Sequence, residues 1–379
     1  MAKIALTGHS VALALVACAC ALGTSACSSS NSKSDDSNSK QTTDDDAGGS
    51  ATGSVKLADC DGRTESSAMP ITEACGTFTS PTGTKIQLGP YGASMDVNVG
   101  KGFENPDPMD SPTCPGFAAL FMEDQNQTNQ LLDVGTQPCT DDTPNTGTCL
   151  NMTLYTVYRP ATWPKGQIPV VTWGNGTCAQ PEGYGSLLRY IASYGFFVVA
   201  ANSREVGTGA DLSKALDFVT AANADSTSPY YGHLDLTKIA ASGHSQGCAA
   251  AAAATQNDAR IQNAILFNGS DSLNDSKPFL AISGDMDVTG FTVMKMQTDL
   301  NAAPGPGAFM YYHNPSGATA DTIKGHLVLM LTPDRVTQQA VAWLQMEFND
   351  DAKAKAQFVG SNCGFCNSSS DFDYGEKGL

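Results

Sequence analysis

The sequence predicts an α/β domain over residues 151–350 of the 379-residue chain, with a mostly parallel central sheet and helices on both faces. Three observations carry that prediction. Short apolar runs recur from Ile168 onward, segments of helical character separate them, and one serine sits on a glycine-flanked turn between a run and a helix. Continuous apolar runs are the mark of strands buried on both faces, which parallel sheets require.

The elements follow in order. Residues 153–158 alternate like a strand with one face exposed. The buried runs are 168–172, 196–200, 239–241, 264–267, 279–282 and 309–312. Helix candidates fall between them at 184–194, 211–224, 246–255 and 291–300. A last helix is opened by Thr332-Pro333-Asp334, an N-cap followed by proline at the first helical position. Strand and helix therefore take turns from 168 to 348. Such doubly wound sheets bind ligands at the carboxyl ends of their strands.

Composition narrows the rest. Charged residues make up 16% of the chain, below the ~25% usual for soluble domains, and the hydrophobic fraction of 41% is enough for a core. The net charge of −17 argues against a nucleic-acid partner, because phosphate contacts need basic surface. Residues 1–26 have Lys3, an apolar run over 11–22 and then small residues, the layout of an export signal. A small-residue tripeptide precedes both Cys18 and Cys27, so either could carry a lipid. Cys27 is preferred, since it leaves the longer apolar run and directly precedes a polar stretch. Residues 27–54 hold almost nothing that burial could offset against ordering entropy and read as a tether. The expected location is the bacterial cell envelope, as an exported lipoprotein, or the medium, with membrane contact only through the anchor.

Residues 55–150 form a turn-rich extension with five cysteines and strand-like pieces at 85–88 and 118–121, and 351–379 form a tail with two more. In an oxidising compartment these cysteines read as disulfide partners. Cys363-Gly364-Phe365-Cys366 reads as a structural disulfide, because no second Cys/His pair accompanies it.

The candidate chemistry centres on Gly243-His244-Ser245-Gln246-Gly247. It follows a short apolar strand and runs into an alanine-rich segment, so Ser245 occupies a strand-to-helix turn. A sharp turn projects the hydroxyl beyond the sheet, and the flanking glycines permit close approach. A serine hydroxyl needs a base, and the base needs a carboxylate to orient it. On such a turn the acid and then the histidine follow the serine in the chain. That order leaves only His326 and His313 among the five histidines. His326 is preferred because it lies in a loop after Gly325, whereas His313 ends an apolar run. Asp285 and Asp287 both follow the strand at 279–282, and Asp287, farther into the loop, is the preferred acid. The oxyanion donors are the Gln246 N–H and, from the glycine-rich turn after 168–172, the Thr177 N–H. Cys178 and Cys248 flank this constellation and are a candidate disulfide pinning the turn to the serine.

Together with Tyr158-Arg159-Pro160, the 173–177 turn, 191–199, Gly284-Asp285-Met286-Asp287 and Gly325-His326, this text resembles the α/β-hydrolase superfamily over about residues 150–348. Within it the chain looks most like exported cutinases, polyester hydrolases and dienelactone-hydrolase-like esterases. The resemblance implies hydrolysis of small or lipid-like carboxylic esters without metal or cofactor, with Ser245, Asp287 and His326 as triad. The chain departs from the polyester-degrading members at Thr177, His244 and the position after Asn268, where those carry aromatic residues. An amidase or peptidase on the same residues, and a surface binding protein that has lost turnover, are the competing readings. Nothing in the sequence fixes an oligomeric state.

Overall fold

In the computed structural model the described residues are 54–57, 77–79, 85–104, 152–177, 179, 181–203, 206–269, 273–285, 287, 290–313, 326, 336–366 and 371–379. The chain divides into units 1–52 and 53–379, and all described residues belong to the second. The export signal, Cys18, Cys27, most of the tether, the strand-like piece at 118–121 and the Thr332-Pro333-Asp334 helix start lie outside them.

The strands are β1 (Ser54–Leu57), β2 (Thr77–Thr79), β3 (Lys85–Gln87), β4 (Ala93–Glu104), β5 (Met152–Arg159), β6 (Ile168–Gly174), β7 (Phe197–Ala201), β8 (Leu234–His244), β9 (Asn263–Phe267), β10 (Phe279–Gly284), β11 (Gly307–Tyr312) and β12 (Phe372–Lys377). The helices are α1 (Gly185–Ser193), α2 (Ala210–Ala224), α3 (Gln246–Asn257), α4 (Val293–Ala302), α5 (Thr337–Asn349) and α6 (Ala352–Phe358). Among the described residues, ten strands form one sheet in the order β1-β4-β5-β7-β6-β8-β9-β10-β11-β12, and β2 pairs with β3 apart from it. Neighbours from β7 to β11 are parallel. The strands outside that run are antiparallel.

The parallel strands form where the apolar runs are, and alternate residues serve opposite faces. Val171, Trp173, Val198, Ala200, Ile265 and Phe267 join one core with Leu187 and Ile191 of α1 and Trp343 of α5. Val170, Phe197, Val199, Ala264 and Leu266 join the other with Leu212 and Leu216 of α2, Ala250 and Ala254 of α3, and Leu300 of α4. Helices therefore cover both faces, as expected of a parallel sheet.

Strand β5 corrects an expectation. The alternation over 153–158 suggests one exposed face, yet Tyr155, Thr156, Val157 and Tyr158 are all buried. The strand lies between β4 and β7, with Val157 in one core and Tyr158 in the other. Its polar Thr156 is satisfied by the Asn202 side chain at 2.7 Å. The tail also contributes more than its composition suggests: β12 pairs with β11 along six residues, and α6 packs Phe358 against Trp343. Cys363 and Cys366 form a disulfide, the expected pairing. Among the described residues no helix is long and apolar enough to cross a membrane.

Candidate active site

Strand β8 ends at His244 and α3 begins at Gln246, so Ser245 alone forms the turn between them. Its φ of 57° and ψ of −117° lie outside the ordinary regions for a residue with a side chain. The turn is held because Ser245 N donates to Phe267 O at 3.0 Å. The glycines explain how it packs. A Cβ on Gly243 would meet the Gly247 carbonyl oxygen at 2.1 Å, and one on Gly247 would meet the Gly174 oxygen at 2.0 Å. The first turn of α3 thus lies directly against the end of β6, where no side chain fits between. Ser245 is half-buried, as are Gln246 and Thr177. Gln246 is the first residue of α3, so its N–H has no intrahelical acceptor.

The loop after β6 is fixed on several sides. Asn175 is fully buried and donates from Nδ2 to the carbonyls of Ala201 and Ser203, each at 2.9 Å, while its Oδ1 accepts from Trp173 Nε1 at 3.1 Å. Gly176 N donates to the Tyr184 hydroxyl at 2.8 Å, and Gly176 O accepts from Ala179 N at 3.0 Å. That second bond orients the peptide plane carrying the Thr177 N–H. Gln246 reaches the loop after β7, where its Oε1 accepts from Val206 N at 3.0 Å.

His326 and Asp287, 39 residues apart in the chain, meet at 2.9 Å through His326 Nδ1 and Asp287 Oδ1. Both are buried. The other carboxylate oxygen accepts from Asn268 Nδ2 at 3.0 Å and from Ser283 Oγ at 3.1 Å. Two donors already meet one carboxylate oxygen, and a carboxylate only accepts. With Asp287 as acceptor, His326 Nδ1 is the donor, and in the neutral ring Nε2 then carries the lone pair. The residue before Ser245 touches this pair directly, since His244 Nε2 lies 2.7 Å from the His326 carbonyl and the two rings stand 4.8 Å apart.

The other candidates are placed differently. His313 lies at the end of β11 with Nδ1 3.3 Å from Asp285 and Nε2 2.9 Å from Asp373 of β12. Asp285 thus faces His313, and Asp287 faces His326. Cys178 lies outside the described residues; Cys248 is buried on α3, and the described disulfide is Cys363–Cys366. Asn268, Ser283, Tyr184 and His244 carry parts of the site that sequence reasoning did not assign. A polar residue closing a buried strand was the available signal for Asn268, and its left-handed φ of 46° marks the same position as a turn. Among the described residues no cluster of His, Cys, Asp and Glu could hold a metal ion.

Residues 136–268 match the model of the chlorophyllase family. Chlorophyllase-like proteins belong to the α/β-hydrolase superfamily, and the mostly parallel sheet with helices on both faces is consistent with the α/β-hydrolase fold. The matched stretch covers β5 to β9 of this chain and includes Ser245, and it ends before Asp287 and His326. It implies a hydrolase acting on esters. No curated protein sequence matches the chain.

Proposed function

We propose that this chain is a serine hydrolase that cleaves carboxylic esters through an acyl-enzyme. The observation that carries the reading is the buried His326–Asp287 pair, its carboxylate already committed to three donors, beside the strained turn that bears Ser245. In the proposed cycle Ser245 Oγ attacks the ester carbonyl carbon while His326 Nε2 accepts its proton. The Gln246 and Thr177 amides receive the oxyanion, which gains further from the N-terminal end of α3. Collapse breaks the bond to the alcohol, which leaves with the proton from His326. Water then repeats the sequence, His326 takes its proton, and the carboxylic acid departs as Ser245 Oγ is reprotonated. Asp287 holds the imidazole in the Nδ1–H form and offsets its charge when it is doubly protonated.

A fluorophosphonate probe tests the reading. The expected result is a single adduct on Ser245, absent from Ser245→Ala; a folded, unreactive protein would favour a binding role, and an adduct on another serine would move the nucleophile. We also propose export with Cys27 as the lipidated residue. Palmitate incorporation in the bacterial host that survives Cys27→Ser would overturn that assignment.

A further inference from the structure

His244 lies between the two halves of the site and is only 2% exposed. Its Nε2 is 2.7 Å from the His326 carbonyl, and a carbonyl can only accept, so Nε2 carries the proton. Nδ1 must then accept, and its partner is the Tyr184 hydroxyl at 3.1 Å. That hydroxyl accepts in turn from Gly176 N at 2.8 Å. Each group has one role left once the next is fixed. The result is a continuous buried chain from the loop preceding Thr177, through Tyr184 and His244, to the backbone of His326.

From this chain of donors and acceptors we infer that His244 and Tyr184 are positioning residues that lock the oxyanion loop and the base-bearing loop to each other. The inference rests on the triad reading above. Two further facts support it. Burial holds the His244 pKa down at about 3, so the ring stays neutral and keeps one donor and one acceptor across the working range. Burial also pushes the Tyr184 phenol well above its ordinary value, so the hydroxyl keeps the proton it donates to Nδ1. The space is equally specific, because a Cβ on Gly176 would stand 2.8 Å from the Tyr184 oxygen and 3.0 Å from His244 Nδ1. If Tyr184 lost its hydroxyl, His244 Nδ1 would lose its donor and Gly176 N its acceptor, so the link between the two loops would open at its middle.

The discriminating experiment compares His244→Gln with His244→Phe on a p-nitrophenyl ester, with Tyr184→Phe as a variant that keeps its volume. Glutamine can still donate to the His326 carbonyl and phenylalanine cannot, whereas a space-filling aromatic role would favour phenylalanine. The expected result is a kcat for His244→Phe down about a hundredfold, as for loss of alignment at a reacting group, with KM little changed and His244→Gln markedly closer to the parent. Tyr184→Phe should lower kcat about tenfold, the worth of roughly one neutral hydrogen bond. Phenylalanine at 244 working as well as glutamine, or Tyr184→Phe turning over like the parent, would overturn the inference. Parent protein that fails to react with the fluorophosphonate probe would overturn the triad reading as well, which separates the two failures.

Discussion

Two histidines stand near the carboxyl ends of β10 and β11, each against an aspartate, and they are built for different work. The His326 and Asp287 side chains are 7% and 0% exposed. His313 and its partners Asp285 and Asp373 are 28%, 30% and 36% exposed. His326 spends one ring nitrogen on its carboxylate and keeps the other for a proton. His313 has a carboxylate at each nitrogen, which leaves it no site to take a proton from a serine. The buried pair can hold an imidazole in one tautomer. The half-exposed cluster ties the loop after β10 to β12, which makes it a clasp. Proximity of histidine to aspartate is thus common to both, and the disposition of the second nitrogen separates them.

The largest effect that would sharpen this contrast is at Asp287. Replacing it by Asn removes the acceptor that keeps the proton on His326 Nδ1, and kcat should fall by about 10⁴ with the fold retained, as for loss of a triad carboxylate. Asp285→Asn should leave turnover within a few-fold of the parent. Steady-state kinetics of both variants check the pair, and equal losses would erase the distinction.

A smaller effect is expected one step out from the base. Asn268→Ala or Ser283→Ala removes one donor from Asp287 Oδ2, and each should cost about ten- to a hundredfold in kcat, in keeping with a hydrogen bond to a charged group. The double variant measured with the singles shows whether the two donors act together. Turnover unaffected in all three would mean the carboxylate needs no such support.

The smallest effect concerns stability. His244, with its pKa held at about 3 by burial, stays neutral in the folded protein while the unfolded chain takes up a proton below the ordinary value of 6.5. Above that pH both states are neutral and this group contributes no slope. Between 6.5 and 3 the unfolded state binds more protons, so stability falls as pH falls, by at most about 1.4 kcal/mol per pH unit. Urea titrations at pH 7 and pH 4 should show a larger loss for the parent than for His244→Gln. Equal losses would mean His244 titrates normally.

Much of this was legible before the fold was known, and the reason is local. The parallel strands β6 to β11 are buried on both faces, so their apolar runs stand out, and Ser245 announces itself through the strand, turn and helix around it. The outer strands were not legible in the same way. β12 reads Phe372-Asp373-Tyr374-Gly375-Glu376-Lys377, a polar stretch that pairs at the sheet edge, and β5 carries an alternation that its buried place between β4 and β7 overrides. Chain order was enough to propose His326 and Asp287. Tyr184 and His244 were out of reach, since their contacts span 60 and 82 residues and depend on tertiary packing.

The most direct test of the account compares kcat/KM for His326→Ala and His313→Ala on one chromogenic ester at pH 8. With His326 as base, His326→Ala should lose on the order of 10³ or more, as for a general base in a triad, and His313→Ala should keep near-parent activity. The opposite ranking would contradict that assignment, because the clasp histidine would then be the base.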